Sequence, residues 1–356
     1  MPQITSIVCT YRRPRLLARA LASLAVQTVP PALIRVCDNS SGDETAAVVQ
    51  WFKRRGLPIE YHCHPKNIGF EGNFTFAMSQ ENKTPFVHLL NDDDYVLERF
   101  FETALGGFKR VPQAVFVTAR IAHVLPTGEV VGVPLARWRK EEFGAGKGAA
   151  YLIERGHPEL TAMLYKSTWL RESGGFNFGD FGRACDVPFH VLAAAKYPIV
   201  ACPKIGGVYS LHPEQLSALP SDEVQPIFGK MFGRLRAASF PNRADFKAVL
   251  RACAECHVYL HRHRYEPAGP RRELRGCVAL AGLMASRPAH ALDAAFGYLR
   301  SMHSVLSRTI RKPDEARAEN TAVCAAATAE IAACLARLSR DYIDPCLTEM
   351  GLNNKA

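Results

Sequence analysis

The chain has 356 residues, 48% hydrophobic and 22% charged, which is ordinary globular composition with room for one large core and a second unit. Its formal charge of +10 comes from 44 Lys and Arg against 34 Asp and Glu, and favours anionic partners such as nucleotides, sugar phosphates or anionic lipid surfaces. No nucleic-acid module is present and the basic residues are dispersed, which argues against nucleic acid as a partner. The N-terminus enters a strand without the charged-then-apolar pattern of a signal peptide. The alanine-rich stretch Thr321 to Leu338 carries Glu330 and Arg337 and is read as non-spanning. Eleven cysteines, an odd number, read as reduced thiols, so the expected location is cytoplasmic.

Strand and helix alternate from the start. Ile4 to Cys9 is a β-branched run, followed by helical spacing from Pro14 to Gln27. Leu33 to Cys37 is a second strand, and a polar turn leads into a helix through about Arg55. Ile59 to Cys63 is a third strand, backed by a helix from Gly69 to Gln80. Phe86 to Leu90 is the fourth, with a helix from Leu97 to Lys109. This alternation predicts a doubly wound α/β sheet, mostly parallel and covered on both faces. Ala114 to Ile121 continues the sheet, and Thr127-Gly128 predicts a hairpin into Glu129 to Val133. Trp138 to Ala150, rich in glycine and charge, reads as a mobile loop. Leu160 to Tyr165 is apolar, Val187 to Ala195 helical, and Ile199 to Ala201 and Gly207 to Leu211 read as two closing strands. Beyond Pro220 helical periodicity takes over, with breaks at Pro241, Pro267 to Pro270, Pro288 and Pro313. The expected division is 1–218 and 219–356.

Within the second part, Cys253-Ala-Glu-Cys256-His257, followed by His261 and His263, matches a haem-attachment string and has zinc-like spacing. The buried stripe of an amphipathic helix accounts for it better, since free cysteine behaves as a small hydrophobe.

The chemistry concentrates at strand ends. The fourth strand runs into Asn91, Asp92, Asp93 and Asp94. Packed carboxylates repel and raise one another's pKa unless a cation neutralises them, and all-oxygen ligands suit Mg²⁺ or Mn²⁺ shared with a phosphate. The competing reading is a polar turn capping the next helix. Thr10-Tyr11-Arg12-Arg13-Pro14 follows the first strand and Asp38-Asn39-Ser40-Ser41 the second; Asn67-Ile68-Gly69 comes after the third and leads to Gly72-Asn73. In open α/β sheets ligands bind beyond the carboxyl ends of the strands. Further on, Gly174-Gly175-Phe176 precedes Cys185-Asp186 at a helix start, and Tyr209 to Ser217 contains His212.

This ordered set, over residues 1 to 218, resembles glycosyltransferase family 2, whose members have the GT-A fold and use nucleotide-diphosphate sugars. The resemblance implies a GT-A domain followed by an α-helical C-terminal region. It implies inverting transfer of a sugar from a UDP- or dTDP-sugar to a glycan, lipid-linked or other acceptor, in cell-surface polysaccharide synthesis. Carried over, Thr10, Tyr11, Arg13, Asp38, Asn67, Gly69, Asn73 and Asp92 belong to the nucleotide-sugar site, with Asp38 on the base. Asp93, Asn91, Asp94 and His212 belong to a Mn²⁺ or Mg²⁺ site. Asp186 is the general base, with Asp180 in reserve. Asn91 stands where a carboxylate is commoner, and Cys185 where an acidic residue is usual. Peripheral contact with the inner face of the membrane and a homo-oligomer are compatible with this. A sugar-phosphate nucleotidyltransferase would carry a glycine-rich loop after the first strand, where this chain has Thr-Tyr-Arg-Arg-Pro. A catalytically silent sugar-binding scaffold draws only on Asn91 and Cys185.

Overall fold

The computed structural model describes residues 3–40, 42–133, 141–155, 158–212, 221–240, 243–250, 252–253 and 313–352. Four β-rich runs become parallel strands: β1 (Ile4–Thr10), β2 (Leu33–Asp38), β3 (Ile59–Cys63) and β4 (Phe86–Asn91). Between them lie α1 (Pro14–Ala25), α2 (Asp43–Arg54) and α3 (Gly69–Ser79). These ranges match the sequence reading to within two residues, because each helix has a clear start and each strand a continuous apolar face.

A two-residue strand, β5 (Tyr95–Val96), follows the aspartates, and α4 (Phe100–Arg110) begins only after it. The expected helix start at Leu97, and with it the capping reading of the aspartates, is therefore corrected: Tyr95 and Val96 are buried and pair with a distant strand instead. The hairpin at Thr127-Gly128 joins β6 (Phe116–Val124) to β7 (Val130–Gly132), with Gly128 at φ +85.

Residues 141–150 are not the expected loop. They contain β8 (Glu142–Phe143) and the start of α5 (Lys147–Arg155). The glycine at 148 serves close packing: a Cβ there would meet Ile199 at 2.9 Å and Ala194 at 3.3 Å. Residues 138–140 lie outside the described part. After β9 (Met163–Lys166) come α6 (Ser167–Glu172), α7 (Phe178–Phe181) and α8 (Asp186–Lys196). The two closing strands are one, β10 (Ile199–Ser210), in which register shifts at Cys202/Ile205 and Ile205/Gly207 absorb the residues that looked like breaks.

The ten strands form one sheet in the order β3-β2-β1-β4-β9-β6-β10-β5, with β7 on β6 and β8 on β10. β9 runs antiparallel between β4 and β6, so the sheet is mixed although mostly parallel. The order reverses at β1, which lies between β2 and β4 with Thr10 opposite Asp38 and Cys9 opposite Asn91. That places the switch point, where open sheets bind ligands, at the ends of β1 and β4.

The described C-terminal part is helical: α9 (Ser221–Ala237), residues 243–250, α10 (Pro313–Leu338) and α11 (Asp344–Glu349). Pro313 opens α10 where a break was expected. Ala327, Ile331, Leu338 and Cys346 join the same core as β1 and β2, while Trp51 Nε1 donates to Glu349 at 2.8 Å and Arg337 to Glu98 at 2.9 Å. The helical run Ala322–Glu349 has 28 residues and contains an 18-residue window with a mean hydropathy of 1.5, long and apolar enough to cross a membrane by length and composition only. One face of the run packs on the core. No disulfide joins any of the nine cysteines in the described residues, and Cys253 is buried in the core. Cys256, His257, His261 and His263 lie outside the described residues.

One polar group threads the sheet. His88 is fully buried in β4, where Ser6 Oγ–H donates to Nδ1 at 2.9 Å and Nε2–H donates to the Thr161 carbonyl at 2.8 Å. Burial pushes its pKa down to about 4, and the hydrogen bond to Thr161 opposes this only in part. In the unfolded chain the ring protonates near 6.5, so below that pH the unfolded state binds the extra proton and stability falls as pH drops. The stability advantage of the parent over His88→Gln should therefore shrink between pH 7 and pH 4, by up to about 3 kcal/mol. Denaturant titrations at both pH values check this; a difference that does not change with pH would contradict it.

Candidate functional site

A cavity of about 400 Å³ opens at the switch point. Its polar side comes from the loops after β1, β2 and β4: Thr10, Tyr11, Arg13, Asn39, Asn91, Asp92 and Asp93 all line it. The backbone is strained at this rim, since Arg12 (φ +54) and Ser40 (φ +69) both adopt left-handed conformations just past the ends of β1 and β2. Arg12 lies over the Tyr11 ring, 5.2 Å from its centroid.

The aspartates behave as three different groups. Asp92 is buried; Thr10 Oγ1 donates to it at 2.7 Å and Arg13 Nη1 lies 3.3 Å away. Burial and the neighbouring charge of Asp93 push its pKa up to about 6, against the pull of Thr10 and Arg13. Asp93 accepts from Arg13 at 3.0 Å and from His212 Nε2 at 3.0 Å. Asp94 is buried yet also lines the cavity: Thr161 Oγ1 donates to one oxygen and the Ser210 amide to the other, at 3.0 Å. Burial and the Asp93 charge hold its carboxyl above the usual range. Asp94, expected at a metal, thus ties β4 to β10 with both oxygens engaged within the fold. Among the described residues, no three His, Cys, Asp or Glu side chains converge as a metal cluster.

The loop after β3 is built from amides. Asn67 Oδ1 accepts from Gly69 N and from Asn39 Nδ2, at 2.8 and 2.9 Å, and Ile68 N donates to Asn39 Oδ1 at 2.8 Å. Gly69, at φ +79, holds a conformation that suits glycine. Asn73 Nδ2 donates to the Cys37 carbonyl at 2.9 Å. Asn67, Gly69 and Asn73 all line the cavity. Asp38 does not: it is fully buried, and Tyr61 donates to its Oδ2 at 2.7 Å.

Asp186 lines the same cavity as the aspartates. It is the first residue of α8, not its cap; Cys185 holds the cap position and makes no side-chain cap bond. A tight turn, Gly182–Ala184, leads directly into the helix. The reserve residue, Asp180, lies outside the cavity. Its carboxylate is engaged by Arg234 and by Asn177 Nδ2 at 2.8 Å.

Two features were not read from the sequence. Phe70, Phe74, Phe176 and Phe178 form an aromatic wall, with ring centroids 5.3 to 6.1 Å apart across α3 and the loop before α7. The four-residue spacing of Phe70 and Phe74 was a usable signal, because it places both on one helix face. Behind Asp186, His190 is fully buried and its Nε2 lies 2.7 Å from the hydroxyl of Tyr165, which is also fully buried. Burial, then the Asp186 charge, hold the Tyr165 hydroxyl well above its ordinary pKa. Tyr165→Phe removes a buried hydrogen bond and should cost about 1–3 kcal/mol in chemical denaturation; parental stability would contradict the role of this pair in the core.

Residues 5–169 match the family described as Glycosyl transferase family 2. Succinoglycan biosynthesis protein ExoM of Rhizobium meliloti is 33% identical over 186 residues, 47% of this chain and 56% of that protein. A GalNAc(5)-diNAcBac-PP-undecaprenol beta-1,3-glucosyltransferase of Campylobacter jejuni is 32% identical over 106 residues, 30% of this chain and 34% of that protein. The chain thus spans about half and about a third of these two relatives. Among solved structures, TarS of S. aureus aligns with a TM-score of 0.60 at 17% identity, over 82% of this chain and 50% of that one. The mannosyltransferase PcManGT of Pyrobaculum calidifontis aligns at 0.56 and 19% identity, over 95% and 87%. These two likenesses share the fold, which is GT-A. Over residues 5–169, a little under half of its length, the chain matches glycosyltransferase family 2.

Proposed function

We propose that the protein is an inverting glycosyltransferase that moves a sugar from a UDP- or dTDP-sugar to an acceptor hydroxyl during cell-surface polysaccharide assembly. The observation that carries this reading is the cavity itself. Its lining brings Thr10, Arg13, Asp92 and Asp93 into one cavity with Asp186, a carboxylate at a helix N-terminus. The names of the relatives support it: one is a succinoglycan biosynthesis protein, and the other is a glucosyltransferase named for an undecaprenol-linked substrate. TarS has been solved with UDP and with UDP-GlcNAc, and PcManGT with GDP-Man and Mn²⁺. A lipid-linked acceptor and a place at the inner face of the membrane are part of the proposal, as is a helical second unit from residue 219 on the acceptor side.

The donor set fits a divalent cation of the Mg²⁺ or Mn²⁺ type. Asp93 and His212 are held 3.0 Å apart, and Arg13 already places a positive charge against Asp92 and Asp93. Two protein ligands leave the remaining positions to diphosphate oxygens and water, as such ions prefer. When bound there, the ion supplies Lewis-acid stabilisation of the departing diphosphate. Arg13 adds a second positive charge to the same end, and Thr10 keeps Asp92 oriented. In this reading Asp38 serves the base by fixing the loop through Tyr61, or turns to it when the donor enters.

Asp186 accepts the proton of the acceptor hydroxyl as its oxygen attacks the anomeric carbon from the face opposite the diphosphate. Its place in the first turn of α8 favours the ionised form that this requires. A screen of nucleotide sugars for hydrolysis and transfer tests the reading, and turnover separates it from a silent scaffold. Asp186→Asn should lower turnover by roughly 10²–10⁴-fold with donor affinity nearly unchanged. Near-parental turnover in that variant, or a product that keeps the donor's anomeric configuration, would contradict the mechanism.

A further inference from the structure

The cavity does not end at its aromatic wall. Phe176, Phe178 and Cys185 line it on one side and on the other line a wider groove of about 840 Å³ between α6 and α8. The groove's far end is formed by Trp169, Lys196 and Tyr197. α8 joins the two, with Asp186 at the cavity and Lys196 at the distant end. Ten residues of helix rise set that distance at roughly 15 Å.

The chemistry of the groove is mixed in a particular way. Aromatic rings follow one another along it: Phe176 and Phe189 lie 4.4 Å apart between centroids, and Trp169 and Tyr197 6.2 Å apart. Tyr197 is 41% exposed, one of only three large hydrophobic side chains so exposed among the described residues. Beside the rings the lining holds the polar Glu172, Ser173 and Asn177 as well as the apolar Phe181, Leu192 and Ala193. Lys196 is exposed and makes no ion pair with any described residue, whereas Arg234 is engaged by Asp180. Rings set among hydroxyl, amide and charged groups match a sugar chain, which presents apolar C–H faces and polar edges. A polyisoprenyl tail would call for a continuous apolar trough.

We propose that this groove binds the saccharide chain of the acceptor, which lies along α8 with its terminal hydroxyl at Asp186 and its earlier sugars against Phe189, Trp169 and Tyr197. The proposal rests on the glycosyltransferase reading for its direction, but groove occupancy is measurable without turnover. The full chain would be mixed with mono-, di- and trisaccharides of gluco and galacto configuration, and separately with farnesyl phosphate. Binding would be read by saturation-transfer NMR, with donor hydrolysis by the parent followed in parallel. Di- or trisaccharides should bind better than their monosaccharides. Tyr197→Ala, at an exposed position that leaves thermal unfolding unchanged, should weaken them by about fivefold or more, and Tyr197→Phe should restore them. Absence of saccharide binding, binding indifferent to Tyr197→Ala, or Tyr197-dependent binding of farnesyl phosphate in place of sugars would each overturn the proposal. A parent that hydrolyses no donor yet binds saccharides through Tyr197 would overturn the proposed function and leave the groove assignment standing.

Discussion

Three consecutive aspartates at the end of a buried strand form the constraint around which the site is organised. Asp92 and Asp94 are almost entirely removed from water, and burial works against the charged form of each. The fold answers with specific partners drawn from distant parts of the chain. Arg13 and Thr10 arrive from β1, Thr161 from the turn before β9, and Ser210 and His212 from the end of β10. Removing Thr10, Arg13, Thr161 or the Ser210 amide would leave part of a buried carboxylate without its hydrogen bond, which is costly in a dry interior. The same requirement brings strand ends together into a cavity, so stability and site geometry share one cause.

The division of labour among the aspartates follows from their exposure. Asp94, at the cavity edge, joins β4 to β10 through Thr161 and Ser210. Asp93 keeps some access to the cavity, at 18% side-chain exposure, and meets both Arg13 and His212. Carboxylates with such different partners are hard to tell apart from three identical letters. Their roles depend on which oxygen meets Thr161 and which meets Arg13, and those partners lie about seventy residues away in either direction.

The first four strands and their helices were legible because each is a local pattern: β-branched runs, apolar spacing of 3.6, and a proline or glycine at a boundary. The later elements depend on partners. β5 is two residues long and exists only because β10 pairs with it. β10 carries a proline and paired glycines that read as a break, yet its bulges keep it continuous beside β6. The glycines around the start of α5 looked like flexibility, yet Gly146 packs closely on Asp245 and Gly148 on Ile199 and Ala194. At the site, motif order located the cavity through Thr10, Asn67, Asp93 and Asp186. Asp38 followed the motif as well, but burial beneath Tyr61 takes it off the cavity surface. Of the aromatic wall only the Phe70–Phe74 spacing is a local signal, and nothing local distinguishes the His190–Tyr165 pair from ordinary core.

The claim on which the account rests is that the negative charge at the end of β4 is there to hold a cation against a nucleoside diphosphate. Calorimetric titration of UDP and dTDP, with and without Mn²⁺, into the parent and Asp93→Ala measures this directly. The account predicts that Mn²⁺ tightens binding of one of these nucleotides to the parent by about tenfold or more, and that Asp93→Ala loses the gain while keeping the fold. Equal affinity with and without Mn²⁺, or an unchanged gain in Asp93→Ala, would contradict it.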